Sequence, residues 1–209
     1  MTPLSHIDSR NMSPADLKSA WRSSVRRMRL QRGQKRNMEL AEALRDLVLA
    51  LPEFEGVHCA SAYVSLGFEP GTLPLIEAMR ARGVEVLLPR LGDGLQRGWS
   101  VYEQSDDLVS RSPGRPPEPS GDFLPQERIA DADIIIVPAL AADTKGTRLG
   151  QGAGWYDRTL PDARPGVPIV ALVFDDEFHD AEAQPIPRES HDVSVTVVVR
   201  PSGVERIGA

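Results

Sequence analysis

Residues 133–160 read DIIIVPALAADTKGTRLGQGAGWYDRTL, and this stretch decides which fold the sequence favours. Its apolar run, residues 134–137, is not interrupted by polar residues, which is typical of a strand covered on both faces in a parallel sheet. A polar, glycine-rich segment follows, and residues 155–160 then have the pattern of a short helix. The order strand, turn and helix is the unit from which α/β folds are built.

The glycine-rich segment has a pattern that suits anion binding. Gly150, Gly152 and Gly154 alternate directly before the predicted helix, and glycine at these places lets backbone N–H groups converge on a phosphate. Arg148 just upstream adds a planar cationic group. The spacing matches neither the Walker pattern nor the dinucleotide-binding fingerprint, so a purely structural turn is the alternative. Asp157, in the first helical turn, is either a carboxylate that stabilises the helix dipole or a Mg²⁺ ligand.

Short apolar runs alternate with helical patterns along the rest of the chain. The predicted strands are residues 57–65, 84–89, 99–103, 168–174 and 193–200, and further helices are predicted at 37–51 and 73–82. We therefore predict an α/β fold: a single three-layer, Rossmann-like domain with a largely parallel sheet flanked by helices. A flexible tail is expected at 1–12, the folded domain at 13–200 and a second tail at 201–209, while 106–121 is expected to be a loop.

The first predicted helix carries an apolar stripe beside a basic one. Ser13 is suited to the N-cap and Pro14 to the first helical position, and Gly33 ends the pattern. At about 100° per residue the apolar stripe contains Leu17, Trp21, Val25 and Met28, and the basic stripe contains Lys18, Arg22, Arg26 and Arg29. The basic stripe is either part of an anion site or a solvated helix face.

Composition excludes several classes of protein. The 209 residues are 41% hydrophobic and 26% charged, which is ordinary for a globular domain, and the net charge of −6 argues against a general nucleic-acid binder. No apolar run approaches the roughly 20 residues needed to cross a bilayer, and the N-terminal segment lacks the apolar centre of a secretory signal. Cys59 is the single cysteine and is expected in the core. We expect a cytoplasmic protein that has no membrane or nucleic-acid partner.

Taken together, these residues resemble the 5-formyltetrahydrofolate cyclo-ligase family, also known as 5,10-methenyltetrahydrofolate synthetases. The family segment Asp-x-x-Gly-x-Arg-Leu-Gly-x-Gly-x-Gly-aromatic-Tyr-Asp-Arg is matched by residues 143–158. Four shorter motifs agree in order: Lys-x-x-apolar-Arg at 18–22, Glu-x-x-Thr at 69–72, Glu-Pro at 118–119 and His-Asp at 191–192. The chain departs from the family at Ala153, where some members have a basic residue, and at Glu177, where Gln is frequent.

The resemblance implies an enzyme that uses ATP and Mg²⁺ to cyclise 5-formyltetrahydrofolate to 5,10-methenyltetrahydrofolate, with release of ADP and phosphate. It implies Lys18 and Arg148 as catalytic residues. The ATP site it implies consists of Lys18, Arg22, Arg148, Gly150, Gly152, Gly154, Trp155 and Tyr156. The folate site it implies consists of Val64, Glu69, Trp155 and Tyr156, and the Mg²⁺ ligands are Asp157 and Asp192. The partners are then small molecules, the protein is expected to be a monomer, and His191 is expected to have a structural role.

Two other functions fit part of the sequence. A protein of the same fold could bind a nucleotide or folate without turnover, an alternative that Ala153 and Glu177 leave open. An RNA-binding module would use the basic segment 18–36, but the rest of the chain is acidic and lacks interleaved aromatic and basic residues.

Overall fold

The computed structural model of the protein describes residues 12–208, so the predicted tail at 1–12 falls almost entirely outside the described residues. The helices are α1 (Pro14–Arg32), α2 (Gln34–Leu49), α3 (Leu73–Ala81) and α4 (Trp155–Thr159). The strands are β1 (Cys59–Ser61), β2 (Glu85–Leu91), β3 (Arg97–Val101), β4 (Leu108–Val109), β5 (Glu118–Pro119), β6 (Leu124–Pro125), β7 (Ile134–Pro138), β8 (Ala141–Asp143), β9 (Arg148–Leu149), β10 (Ile169–Leu172), β11 (Phe178–His179), β12 (Val197–Arg200) and β13 (Gly203–Arg206). Within the described range, none of the helices has the length and apolar character required to span a bilayer.

Eight strands form the main sheet in the order β13-β12-β10-β7-β1-β2-β3-β6. The five central strands, β12, β10, β7, β1 and β2, run parallel to one another. The strands outside them, β13 on one side and β3 and β6 on the other, each pair antiparallel with their neighbour. β7, predicted from its unbroken apolar run, lies between β1 and β10 and is almost completely buried. The predicted α/β fold, with a largely parallel sheet flanked by helices, is confirmed.

The end of the chain differs from the prediction. The tail expected at 201–209 is wrong for most of that segment, because β13 (Gly203–Arg206) pairs antiparallel with β12. Val204 and Ile207 also pack against the main core. The free edge of β12 supplies the hydrogen bonds for this four-residue strand, and its own sequence is too short to show a period. Similarly, the predicted loop at 106–121 contains a two-residue pairing of β4 with β5.

α1 packs on a small second sheet. The Oγ of Ser13 accepts a hydrogen bond from the backbone N–H of Asp16 at 3.2 Å, so the predicted N-cap is confirmed. The buried stripe of the helix contributes Trp21 and Val25 to an apolar cluster that also includes Leu149 of β9. This second sheet has the order β11-β8-β9. The basic stripe of α1 is thereby placed beside the segment that links β9 to α4.

A buried ion pair joins α1 to the main sheet. The Arg29 guanidinium binds both carboxylate oxygens of Glu177 at 2.8 Å and the carbonyl of Ala139 at 2.7 Å. Arg29 is 2% exposed and Glu177 is fully buried, and Glu177 also accepts the N–H of Phe174. Burial lowers the pKa of Arg29, but the hydrogen bonds and charge of Glu177 outweigh this and raise it. Because Ala139 follows β7 and Glu177 follows β10, the pair fastens α1 to the carboxyl ends of two neighbouring strands.

The β8–β9 hairpin is closed by a turn that requires glycine. The Asp143 carboxylate accepts the backbone N–H groups of Lys145 and Thr147 at 3.0 and 2.8 Å. Gly146 has a φ of 77°, and its carbonyl accepts the N–H of Val195 at 3.0 Å. A Cβ at this position would lie 2.6 Å from the Val195 oxygen. The turn therefore fixes the start of β9, from which Arg148 projects.

Gly146→Ala is expected to destabilise the fold more than Gly166→Ala. Both positions have positive φ, 77° and 80°, and thus the same left-handed strain of about 1–2 kcal/mol for alanine. Only the alanine at 146 would also meet a backbone atom; at 166 the described residues leave the added Cβ free within 4 Å. Urea unfolding of both variants measures the difference. Equal losses would contradict a steric role for the Val195 oxygen.

Glu177→Gln is expected to lower the free energy of unfolding by about 3–5 kcal/mol, because Arg29 is left as an uncompensated buried charge. The double variant Arg29→Met/Glu177→Gln should lose less than Glu177→Gln alone, since the cation is removed as well. Glu103→Gln breaks the exposed Arg80–Glu103 pair and should leave the unfolding midpoint unchanged. A double variant as unstable as the single one would rule out the uncompensated charge as the cause.

Candidate functional site

The candidate site lies where the parallel strands of the main sheet end. Ligand sites in open α/β sheets form outside the carboxyl ends of the strands. β1 is followed by the loop that carries Val64 and Glu69, and β7 is followed by the β8–β9 hairpin, whose second strand begins with Arg148. The segment 150–154, here called the glycine turn, then leads into α4. The basic stripe of α1 lies against this turn.

Two arginines of α1 hold the glycine turn through its carbonyl groups. Arg22 Nε donates to the carbonyl of Gly150 at 3.0 Å, and Arg26 Nη2 donates to that of Gln151 at 2.8 Å. Gly152 has a φ of 102°, and Gly154, at the N-cap of α4, has a φ of 64°. Both glycines thus occupy backbone conformations that other residues rarely adopt. The turn and α1 form one hydrogen-bonded unit.

Arg148 connects the main sheet to α4. Its Nη2 binds Asp157 Oδ1 at 2.6 Å, and its Nη1 donates to the carbonyl of Pro138, at the end of β7, at 3.2 Å. A Cβ on Gly150 would lie 2.8 Å from Nη1, so a larger residue there would require the guanidinium to shift. Asp157 is in the first turn of α4, where it is favoured by the helix dipole as well as by Arg148. Arg148 and Asp157 are thus brought together as a largely buried pair.

Lys18 is held by a pair of carboxylates near the C-terminus. Its ammonium group binds Asp192 Oδ2 at 2.6 Å and Glu189 Oε2 at 2.7 Å. Burial lowers the pKa of Lys18, but the hydrogen bonds to these two carboxylates outweigh it and raise the pKa, so the lysine is charged at neutral pH. Candidate ligand atoms of Glu189, His191 and Asp192 lie within 4.8 Å of one another. Sequence reasoning missed Glu189. It could have been found from its position three residues before Asp192 of the His-Asp motif.

The loop that carries Glu69 explains the Glu-x-x-Thr spacing. The Thr72 hydroxyl donates to the carbonyl of Tyr63 at 2.5 Å and accepts the N–H of Ser65 at 3.0 Å, which closes the loop. One carboxylate oxygen of Glu69 accepts the N–H of Leu66 at 2.7 Å, and the other accepts the side-chain amide of Gln151. Burial raises the pKa of Glu69. The loop thus directs Glu69 toward the glycine turn. Gln151 is a second site residue that sequence reasoning missed, although it lies between two glycines of the predicted phosphate site.

The aromatic residues of the candidate site are packed rather than free. Trp155 contacts Trp99 edge to face, with ring centroids 6.2 Å apart, and it is partly buried. The Tyr156 ring belongs to the main core, where the Arg148 guanidinium lies 6.0 Å from its centroid. Val64 is a buried member of the same core. All three side chains therefore pack in or against the main core, and the Tyr156 ring also lies near the charged group of Arg148.

Four other residues were singled out in the sequence: Glu177 and Ala153 as departures from the family, His191 as structural and Cys59 as a core residue. The Glu177 carboxylate is occupied by Arg29 rather than free for a ligand. Ala153 is exposed in the glycine turn, and the imidazole of His191 is mostly exposed. Cys59 is buried in β1, where burial raises its thiol pKa to about 12, so it is a core residue without a reactive thiolate.

The basic segment 18–36 is divided between the interior and the surface: Arg26, Arg27, Lys35 and Arg36 are exposed, and its other four cations are buried or partly buried. Lys18 and Arg29 are almost fully buried, and Arg22 and Arg26 bind carbonyls of the glycine turn. A nucleic-acid surface requires cations that are available to phosphates along an exposed face. Because Lys18, Arg22 and Arg29 are engaged within the protein, only part of the segment is available to phosphates, which weighs against the RNA-binding alternative.

The sequence matches the model of a known protein family and several of that family's members. The model of the 5-formyltetrahydrofolate cyclo-ligase family matches residues 14–201. The 5-formyltetrahydrofolate cyclo-ligase of Mycolicibacterium smegmatis is 41% identical over 166 residues, which cover 77% of this chain and 81% of that protein. The Escherichia coli protein of the same name is 28% identical over 187 residues, which cover 86% of this chain and 98% of that protein.

Solved structures agree with the sequence comparison. The NMR structure of 5,10-methenyltetrahydrofolate synthetase from Aquifex aeolicus has a TM-score of 0.76 at 26% identity, with 92% of this chain and 94% of that chain covered. A 5,10-methenyltetrahydrofolate synthetase from Mycoplasma pneumoniae has a TM-score of 0.66 at 14% identity, covers 87% of this chain and 97% of its own, and supports the fold alone. Since the family model spans nearly all of the described residues, the chain belongs to the 5-formyltetrahydrofolate cyclo-ligase family, a family of ligases.

Proposed function

We propose that this protein converts 5-formyltetrahydrofolate to 5,10-methenyltetrahydrofolate in an ATP- and Mg²⁺-dependent reaction that releases ADP and phosphate. The observation that carries the proposal is the contact between the glycine turn and Glu69. Gln151 of the turn binds the Glu69 carboxylate, while Arg22 and Arg26 bind the carbonyls of the same turn. A phosphate bound at the turn and a folate bound at Glu69 would therefore be neighbours, as transfer between them requires.

The nucleotide site of the proposal consists of cations gathered around the glycine turn. Lys18 and Arg22 come from α1 and bind Asp192 and the carbonyl of Gly150, and Arg148 comes from β9 and binds Asp157. Guanidinium groups bind phosphate oxygens through paired N–H donors, and an ammonium group adds a compact charge. We assign the triphosphate to these three side chains and the glycine turn, with Lys18 and Arg148 stabilising the charge that develops during transfer.

The reaction needs a good leaving group on the formyl carbon. In the proposed first step the formyl oxygen attacks the γ-phosphorus, the bond from that phosphorus to the ADP oxygen breaks, and ADP leaves. The activated carbon is then attacked by N10, which loses its proton, and the carbon–oxygen bond breaks with departure of phosphate. No protein nucleophile is required, so positioning and charge stabilisation carry the catalysis.

The carboxylates of the site fit a hard cation. Asp157, Asp192 and Glu189 offer oxygen ligands, which Mg²⁺ prefers, and Asp192 lies in the group of close ligand atoms with Glu189. We propose Asp157 and Asp192 as the residues that hold Mg²⁺, directly or through water. The ion, when bound, neutralises charge on the phosphates. In the described structure the two carboxylates are held by Arg148 and Lys18.

The folate site of the proposal uses Glu69 as a hydrogen-bond acceptor for the bicyclic ring. Trp155, Tyr156 and Val64 supply the apolar surface beside it. We further propose that the protein acts as a cytoplasmic monomer on small molecules alone; the single, buried cysteine is consistent with a reducing compartment.

The purified protein, given 5-formyltetrahydrofolate, ATP and Mg²⁺, is expected to generate the absorbance of the methenyl product with one ADP and one phosphate per turnover. Omission of ATP or chelation of Mg²⁺ should abolish the signal. A flat trace beside an active control enzyme would contradict the proposal and favour a binding protein without turnover.

Arg148→Ala is expected to lower kcat/KM for ATP by roughly 100-fold, the effect of removing one donor that stabilises developing charge. Arg164→Ala is the control, because Arg164 also binds a carboxylate, that of Asp133, at 2.7 Å. Asp133 directly precedes β7, whereas Arg148 binds the carbonyl of Pro138 at the other end of that strand. Steady-state kinetics at varied ATP, with the unfolding midpoint of each variant, measure the effect. Similar kinetics for the two variants would remove Arg148 from the nucleotide site.

A further inference from the structure

Two buried tyrosines near Glu69 have hydroxyl groups without a partner. Tyr63 and Tyr156 are 4% and 6% exposed, and for neither phenol oxygen do residues 12–208 provide a hydrogen-bond partner. Arg29 Nη1 is in the same situation. An unsatisfied buried donor costs about 1–3 kcal/mol, and native structures rarely keep one without a reason. Other buried side-chain atoms of residues 12–208 also lack a partner. These three are singled out because Tyr63 is within electrostatic reach of Arg29, Glu69 and Tyr156, which makes their surroundings a candidate place for the acceptors of a ligand.

Backbone contacts place these groups around the end of β7. Arg148 binds the carbonyl of Pro138, and Arg29 binds that of the next residue, Ala139. The Tyr156 ring lies beneath Arg148, and Tyr63 lies two residues beyond β1, the neighbour of β7 in the sheet. The Thr72 hydroxyl holds the carbonyl of Tyr63, which fixes this residue on the loop that carries Glu69.

The electrostatics connect the phenols with Glu69. Burial raises the pKa of Tyr63 well above its usual value, and the Glu69 charge adds to the rise. Burial also raises the pKa of Tyr156, against the opposing charge of Arg148. Both phenols are therefore protonated donors at neutral pH, and both are influenced by the charge of Glu69, whose two oxygens are fixed by Leu66 and Gln151.

We propose that the Tyr63 hydroxyl is a specificity-determining donor that hydrogen-bonds the ring carbonyl of the folate substrate beside Glu69. The inference rests on the proposed function and adds a residue to its folate site. An acceptor-only carboxylate next to a donor hydroxyl is complementary to an amide-like ring edge, in which N–H groups stand beside a carbonyl oxygen. Glu69 then accepts from ring N–H groups while Tyr63 donates to the oxygen. Recognition of this kind rejects analogues that cannot accept the hydrogen bond, because the buried donor would stay unpaired.

The test replaces Tyr63 by phenylalanine, which removes only the hydroxyl oxygen. Tyr102→Phe is the matched control: Tyr102 is equally buried and its hydroxyl also lacks a partner among the described residues, but it follows β3 and is influenced by Glu77 and Arg80 instead of Glu69. For both variants the KM for 5-formyltetrahydrofolate, the KM for ATP, the Kd for the folate without ATP and the Tm are measured.

Tyr63→Phe is expected to raise the KM and Kd for the folate about five- to tenfold, as for loss of one neutral hydrogen bond. The KM for ATP and the Tm should not change. The wild-type protein should also prefer 5-formyltetrahydrofolate to its 4-amino analogue, whose ring carries a donor in place of the carbonyl, and this preference should shrink in Tyr63→Phe. Tyr102→Phe should match the wild type in every measurement.

Three outcomes would overturn the inference: an unchanged folate Kd in Tyr63→Phe, an unchanged preference over the 4-amino analogue, or a parallel change of both KM values with a lower Tm. The last would mean a structural role. If the wild-type protein turns over and binds the folate while Tyr63→Phe behaves identically, the inference alone fails. If the wild-type protein neither binds nor converts the folate, the proposed function fails and the inference with it.

Discussion

The position of the candidate site depends on the buried ion pair between Arg29 and Glu177. The pair fixes one point of α1 against the ends of β7 and β10. Lys18 and Arg22 stand eleven and seven residues earlier, close to whole numbers of helical turns, so they lie on nearly the same side of the helix as Arg29. A shift of α1 by one residue would move these cations by about 1.5 Å along the axis and about 100° around it. One inaccessible contact thus sets the register of a charged face that meets the glycine turn.

The cations of the candidate site are paired with carboxylates of the same site or with backbone carbonyls. Lys18 is balanced by Asp192 and Glu189, and Arg148 by Asp157. Arg22 is held by a carbonyl dipole. In the proposed reaction, an entering polyphosphate would compete with these carboxylates for the cations, and the displaced carboxylates would be the oxygen ligands that a divalent ion favours. The pairing therefore gives a physical reason for the joint requirement for nucleotide and metal in the proposed reaction.

Local patterns in the sequence were sufficient for the parallel sheet and for the two faces of α1. The unbroken apolar run of β7 and the stripe of Trp21 and Val25 each follow from the geometry of one element. Sequence could not reveal contacts between distant residues. Glu177 looked like a departure from the family pattern, because its countercharge, Arg29, is 148 residues away. The contact between Gln151 and Glu69 spans 82 residues.

β13 shows a second limit of prediction from sequence. It is a strand because it pairs with the edge of β12, and its own residues have no recognisable strand pattern. With β13 at one edge and β6 at the other, both edge strands of the main sheet are short. At one margin β6 has two residues, including Pro125, which has no N–H to offer. At the other, β13 carries Glu205 and Arg206, and Arg206 is tied to Glu53 at 2.7 Å. Such margins offer few free hydrogen-bonding groups to a strand from another molecule, so the protein is protected against growth of its sheet into aggregates.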